Sequence, residues 1–195
     1  MTTQTTPTLA PPNRIVTGHD ANGKSVFLST GPAPQHHNRQ QGLVRFHELW
    51  HTAQMPVPLD NVEANEPNER PLRLPPDENG SVIRILDIHP GHVQAWQPRD
   101  DGRHPGMHRT QTLDYGILIQ GQIHMILDDK AEVCLNPGDV VIQRGTDHAW
   151  ENRSDQVARI AFILLDGRFT GELAQKMAGI DLQHGPLAQR VEPHK

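Results

Sequence analysis

Residues 102–121 carry the pattern on which the fold assignment depends, and they read GRHPGMHRTQTLDYGILIQG. Successive side chains of a β-strand point to opposite faces, so a strand through this stretch groups alternate residues. The residues that share one face are His108, Thr110, Thr112 and Asp114. Four polar side chains on one face of a strand, inside an otherwise apolar β region, do not form a hydrophobic core. The pattern therefore predicts that this face lines a functional site.

A second stretch, residues 137–152, reads PGDVVIQRGTDHAWEN and ends in another short β-like run. The same alternation puts His148, Trp150 and Asn152 on one face of that run. In a barrel that joins the two strands, two imidazoles and one carboxylate would surround a single point. The sequence therefore predicts one site built from both stretches.

The chain around these stretches consists of short β-like runs separated by Gly, Pro and Asp. Strands at such close intervals are typical of an all-β sandwich or barrel. The predicted strands cover residues 82–88, 92–97, 107–114, 115–120, 122–127, 131–135, 139–143, 148–152 and 158–165. One short helix is predicted at 171–178. The sequence thus predicts an all-β domain with a short C-terminal helix.

The N-terminal part of the chain differs in composition, and it is rich in Pro, Thr and Gln. Within it we predict a β-hairpin at 14–29, a strand at 43–52 and a Pro-rich loop at 55–79. The predicted organisation is a disordered tail at 1–12, an arm at 13–99, a barrel core at 100–170, and a short helix with a tail at 171–195.

The two quoted stretches resemble the two motifs of the cupin superfamily, whose first motif has Gly, five residues, His-x-His, three or four residues, Glu, six residues and Gly. The resemblance implies a double-stranded β-helix, or jelly-roll, barrel. It covers about a third of the chain. Three positions depart from the motifs: Thr110 replaces the second His, Asp114 replaces Glu, and Gln143 replaces a Pro.

Cupins commonly hold a metal through three His and one Glu, so the resemblance implies a divalent ion, namely Fe, Mn, Ni or Zn. The ligands it leaves in this chain are His108, Asp114 and His148. Two His with one carboxylate also form the ligand set of non-haem iron(II) oxygenases. Because Asp is shorter than Glu, Asp114 has a second interpretation, in which it does not bind the metal and acts as a catalytic general base or orients a metal ligand. The alternative to a metal site is that the chain binds no metal, because Thr110 stands where the motif has its second His.

Other residues of the predicted faces are candidates for substrate binding: Thr110, Thr112, Trp150, Asn152 and His124. The Trp150 ring suits stacking on a planar substrate, or simple packing inside a small barrel. His124 follows the first motif and either reaches the cavity or has a structural or exposed role. His47 and His51 are not interpreted as a metal pair, since a strand would place them roughly 13 Å apart.

Composition excludes several classes of function. The chain has 195 residues, a formal net charge of −5 and scattered basic residues, so no nucleic-acid partner is expected. No apolar run approaches the ~20 residues that a membrane span requires, and no membrane association is expected. The single Cys fits a reducing, cytoplasmic compartment. The 13 His residues favour a metal site.

Two functional classes remain. One is a metal-dependent enzyme, in which a mononuclear divalent ion held by two His and an Asp acts on a small carboxylate, enol or phenolic substrate. Its reaction is that of a dioxygenase, decarboxylase, dehydratase or isomerase, with an oxidoreductase or a lyase favoured. The other is a metal-free cupin that binds a small molecule, or one that performs acid–base chemistry without metal. In either case the resemblance implies a homodimer formed through the N-terminal arm.

Overall fold

The computed structural model describes residues 8–59, 71–95, 97 and 99–179. Within these residues the chain forms eleven β-strands and one α-helix. The elements are β1 (Asn13–His19), β2 (Ser25–Pro32), β3 (Gln35–Arg39), β4 (Val44–Thr52), β5 (Ser81–Ile88), β6 (Thr112–Gln120), β7 (Ile123–Ile126), β8 (Glu132–Leu135), β9 (Val140–Arg144), β10 (Ala149–Glu151), β11 (Ala158–Asp166) and α1 (Gly171–Met177).

Two sheets enclose the core. The larger has the strand order β3-β4-β5-β11-β6-β9, and the smaller has the order β10-β7-β8. One cluster of buried apolar side chains includes Leu118 and Ile160 from the larger sheet and Ile123 from the smaller sheet. The predicted all-β, double-stranded β-helix barrel is confirmed, as is the short C-terminal helix.

Strand β11 shows why these residues form strands. Its buried positions alternate with partly exposed ones, and the buried side chains are Ala158, Ile160, Phe162 and Leu164. The strand pairs antiparallel with β5 on one side and β6 on the other. A central strand of this kind requires one apolar face, which the period of two supplies.

Strands β4 and β5, which the sequence analysis assigns to the arm, lie inside the six-stranded sheet between β3 and β11. The boundary predicted at residues 99 and 100 stays a prediction. Part of the predicted tail, residues 1–7, lies outside the described residues, as do residues 60–70 and 180–195. The Ala10 carbonyl accepts a 2.8 Å hydrogen bond from Arg159.

The strand predicted at 92–97 is wrong, because His92–Ala95 form a turn of 3₁₀-helix. The Gly91 backbone has φ +72, a left-handed conformation that ends the preceding extended segment. The His92 ring then lies between two carbonyl oxygens, those of His89 at 3.1 Å and Trp150 at 3.0 Å. Alternation alone did not reveal this turn.

The predicted strand 107–114 begins later than expected. Strand β6 starts at Thr112, and before it His108 makes an isolated antiparallel bridge with His148. The bridge nevertheless brings the two predicted stretches together.

The predicted hairpin is present as β1 paired with β2. The Asp20 carboxylate accepts hydrogen bonds from the backbone of Asn22 and Lys24, both at 2.9 Å, which closes its turn. Ile15 and Phe27 on this hairpin are 61% and 75% exposed. The homodimer through the arm stays a prediction, for which light scattering at micromolar concentration is the direct measurement.

In the described part of the chain, no helix combines the length and the apolar character that crossing a membrane requires.

Gly121 joins β6 to β7 and lies in close contact with the backbone at Val157. Its φ is +78, and a Cβ at this position would lie 2.6 Å from the Val157 carbonyl oxygen. Gly138 has φ +95 but no atom within 4 Å of such a Cβ. We expect Gly138→Ala to cost about 1 kcal/mol of unfolding free energy, and Gly121→Ala about 2 kcal/mol more. Urea unfolding followed by circular dichroism measures both, and equal losses would contradict the close packing.

Candidate functional site

A cavity of about 610 Å³ lies inside the barrel, a size typical of small-molecule sites. Its walls are mostly apolar and include Val44, Phe46, Leu86, Met107, Trp150 and Phe162. Its polar lining consists of Arg39, Gln40, Arg84, His92, Arg99, His108, Thr110, Asp114 and His148. Both predicted stretches thus contribute to one cavity.

His108 and His148 lie side by side on the cavity wall. Their backbones exchange two hydrogen bonds of 3.0 and 2.9 Å, and their ring centroids are 4.2 Å apart. The Nδ1 of His108 is 2.8 Å from the Gly106 carbonyl, and that of His148 is 2.9 Å from the Thr146 carbonyl. Because a carbonyl only accepts, Nδ1 is the donor in each neutral ring, and Nε2 is the acceptor nitrogen.

The charge state of His148 follows from its burial. Burial holds the pKa of the His148 imidazole well below its usual value, and the neighbouring His108 lowers it further. The Thr146 carbonyl opposes this shift without reversing it. His148 is therefore a neutral hydrogen-bond acceptor near pH 7.

Asp114 is a buried carboxyl group on the cavity wall, with 4% of its surface exposed. The register of β6 with β9 places it opposite Gln143, whose Nε2 donates to Asp114 Oδ2 at 2.5 Å. Asp114 Oδ1 is buried and has no hydrogen-bond partner among the described residues. Burial raises the pKa of Asp114 to about 6, against the opposing effects of the Thr112 hydroxyl and the Arg84 charge. Such a group can hold or release a proton near neutral pH.

The side chains around His108 and His148 offer few ligands for a metal ion. No group of three His, Cys, Asp or Glu side chains close enough to hold a metal occurs in the described ranges. The structure brings His108 and His148 together, and it does not bring Asp114 to the same point as a third donor. Thr110 stands where the motif has its second His, and its hydroxyl group is a weak ligand for divalent ions. The residues present do not fit a site with three protein ligands.

The predicted substrate-binding residues fall into two groups. Thr110 and Trp150 line the cavity, and the Trp150 ring also packs against the Phe162 ring at 5.3 Å. Thr112 is buried behind the wall, with its hydroxyl 2.7 Å from that of Thr110. This geometry makes Thr110 and Trp150 the two of these residues placed to contact a ligand in the cavity.

Asn152 and His124 do not line the cavity. The Asn152 amide donates to the carbonyls of Ile88 and Gln156, both at 2.7 Å, and so fastens the chain after β10. His124 lies 3.8 Å from Glu132 in a partly exposed charged cluster. Any part that these two residues play in binding stays a prediction.

Sequence reasoning missed several cavity residues. Arg84 lies on the apolar face of β5, 3% exposed, and it pairs with Glu48 at 3.1 Å. An Arg among alternating apolar residues is a signal that could have revealed this buried pair. Gln143, which donates to Asp114 but does not itself line the cavity, stood out in the sequence only as a departure from the motif. Arg39 lies at the end of β3 and Arg99 lies in a loop, and only the fold brings both to the cavity. No pattern along the sequence marks either residue.

Asp114→Asn tests the cost of the buried carboxylate. Near pH 7.5 the folded protein holds Asp114 ionised despite its burial, whereas Asn carries no charge and still accepts from Gln143. We expect the unfolding free energy to rise by about 3 kcal/mol, as the raised pKa of Asp114 implies. The gain should shrink as the pH falls from about 6 to about 4 and vanish below about pH 3, where Asp114 is protonated in both the folded and the unfolded chain.

Thermal and urea unfolding at several pH values measure this gain, and Asp155→Asn on the exposed surface is the matched control. A loss of stability in Asp114→Asn at pH 7.5 would contradict the argument.

Metal content tests the donor set. Two neutral imidazoles without a third protein donor bind divalent ions weakly, so we expect well under one metal ion per chain after purification without added metal. Elemental analysis should give the same low value for wild type and His108→Ala. Near-stoichiometric metal that is lost in His108→Ala and His148→Ala would instead restore the predicted metal site.

Comparisons with known proteins agree with this architecture. A family model described as a cupin domain matches residues 86–165. The chain is 35% identical over 183 residues to phomopsin biosynthesis cluster protein C' of Diaporthe leptostromiformis, covering 90% of this chain and 91% of that protein. It is 33% identical over 172 residues to the cupin-domain-containing oxidoreductase fogC of Aspergillus ruber, covering 85% of this chain and 78% of the relative.

Among solved structures, the cupin domain of Cnp3 from Schizosaccharomyces pombe aligns with a TM-score of 0.44 and 13% identity, over 88% of this chain and 97% of that one. The 33% identity to a cupin-domain-containing protein over most of both chains carries the assignment, and the family model agrees with it: this chain belongs to the cupin family.

Proposed function

We propose that this protein is an enzyme that transfers a proton within a small enolisable molecule, with Asp114 as the catalytic acid and base. The observation that carries the proposal is the Asp114 carboxyl, a buried group with a pKa of about 6 on the wall of an apolar cavity. Its Oδ1 atom has no protein partner within the described residues, so a ligand can occupy that position. A pKa near the working pH is what acid–base catalysis requires.

The surrounding groups orient the reaction. Gln143 holds Oδ2 at 2.5 Å and so fixes the direction of Oδ1. The neutral His148 ring presents an acceptor nitrogen, which suits a substrate hydroxyl, and Thr110 offers a hydroxyl on the same wall. The apolar walls exclude water from these groups and raise the strength of their hydrogen bonds.

The reaction needs no external oxidant. Asp114 takes a proton from a carbon beside a carbonyl group, and the C–H electron pair becomes the C=C bond of an enolate. Asp114 then returns the proton to a different atom of the same molecule, or to a departing hydroxyl group. The first route is an isomerisation and the second is a dehydration. The similarity to cupin-domain-containing oxidoreductases and to biosynthesis cluster proteins supports chemistry on a small molecule.

A divalent ion, Fe, Mn, Ni or Zn, held by His108 and His148 is the second candidate. One observation favours it: each Nδ1 is engaged by a carbonyl oxygen, as is common in metal-ligating His. The metal analysis described above separates the two candidates.

The catalytic role of Asp114 can be tested with the natural substrate. A strain of the source organism from which the gene is deleted should accumulate that compound. The compound should be consumed again when the wild-type gene is restored, but not when the Asp114→Asn gene is. Purified wild type, given the compound in D₂O, should incorporate deuterium, with a rate that rises as pH increases through about 6. We expect Asp114→Asn to lower the rate at least about 100-fold, because the proton-transfer group is lost.

Asp155→Asn is the control and should keep the wild-type rate. Conversion by Asp114→Asn at a near-wild-type rate, or a pH profile without a transition near 6, would contradict the proposal.

A further inference from the structure

The charges that line the cavity are mostly positive. Three arginines contribute to the wall, namely Arg39, Arg84 and Arg99, and Asp114 is the one carboxyl in the described lining. The chain as a whole has a formal net charge of −5, so this balance is opposite to that of the protein. Such a lining favours anions over cations only where its arginines are not already paired with carboxylates of the protein.

Two of the three arginines are already neutralised by the protein. Arg84 pairs with Glu48 at 3.1 Å and donates to the Arg73 carbonyl at 2.8 Å, so its guanidinium is committed to the wall. Arg99 pairs with the exposed Asp101 at 2.6 Å, outside the cavity lining.

Arg39 differs from both. It ends strand β3, its side chain is exposed, and it contributes to the cavity wall. Its backbone pairs with Val44 of β4, whereas its guanidinium group makes no hydrogen bond or ion pair with any residue in the described ranges. An exposed residue on the wall lies where the cavity meets solvent, so Arg39 is a positive charge at the opening that no described residue compensates. A guanidinium fork matches the two oxygens of a carboxylate.

We propose that the cavity selects a small carboxylate with an apolar body, whose anionic group is bound by Arg39 at the opening while its body lies between Phe46 and Trp150. This inference rests on the proposed function, because it names the class of substrate for the same cavity. The two ends of the ligand then have separate roles. The carboxylate gives selectivity, and the buried end meets Asp114 and His148. A solvated surface Arg without a ligand is the competing explanation for Arg39.

The test uses two probes of the same shape, 2-naphthoate and its neutral counterpart 2-naphthamide, with affinities measured by isothermal titration calorimetry. For wild type we expect naphthoate to bind roughly tenfold more tightly, the size of effect expected for one charge-assisted hydrogen bond. Arg39→Gln should lose that preference by weakening naphthoate alone, and Arg39→Lys should keep part of it.

The matched control is Arg45→Gln. Arg45 lies on the neighbouring strand β4, donates to Asn38 at 3.0 Å and is absent from the lining, so its loss changes the net charge equally. We expect this variant to keep the wild-type preference. Equal affinities of wild type for the two probes, an unchanged preference in Arg39→Gln, an equal loss in Arg45→Gln, or no binding of either probe at millimolar concentration would each overturn the inference.

Binding by Asp114→Asn separates this inference from the proposed function. That variant should retain the preference for naphthoate even where it has lost turnover. If Asp114→Asn retains both the preference for naphthoate and its turnover, only the catalytic role of Asp114 is refuted. If wild type shows no preference for naphthoate, only the role of Arg39 is refuted.

Discussion

The reciprocal pair of backbone hydrogen bonds between His108 and His148 is the contact on which the site depends. It joins the segment before β6 to the segment before β10, and these belong to different sheets. Next to it, Asp147 accepts from both Arg109 and Arg103, which fixes the two segments a second time. Because the contact is made by the backbone, it places the two histidines next to each other independently of what their rings bind.

Around that contact, the two sheets supply different side chains to the cavity. The large sheet supplies the carboxyl group of Asp114 and the buried ion pair of Arg84 with Glu48. The small sheet supplies Trp150, and both sheets contribute the apolar walls. A buried ion pair is costly unless its partners are well fixed, and here Arg84 also donates to two backbone carbonyls. The Arg84 guanidinium is therefore held in place by the protein before any ligand enters.

The sequence could predict an all-β domain because alternation is a local property, and the resemblance to the cupin motifs implied the barrel. The buried set of β11 and the polar face containing Asp114 both follow from a period of two. The pairing of Asp114 with Gln143 could not be predicted, since it depends on the register between β6 and β9. The turn at His92 was missed because its carbonyl partner, Trp150, is distant in sequence. The donor count around His108 likewise depends on distances in space, which no spacing along the chain supplies.

Gln143 has a chemical property that the Pro of the family motif lacks. Its amide now donates to Asp114 through Nε2, while its Oε1 atom is buried without a partner among the described residues. A half-turn of the amide would exchange these two atoms and would let Oε1 accept the proton of a neutral carboxyl group. The same side chain can therefore serve Asp114 before and after it gains a proton, with no movement of the backbone. One residue exchange in the motif has given the barrel wall a reversible hydrogen-bonding partner.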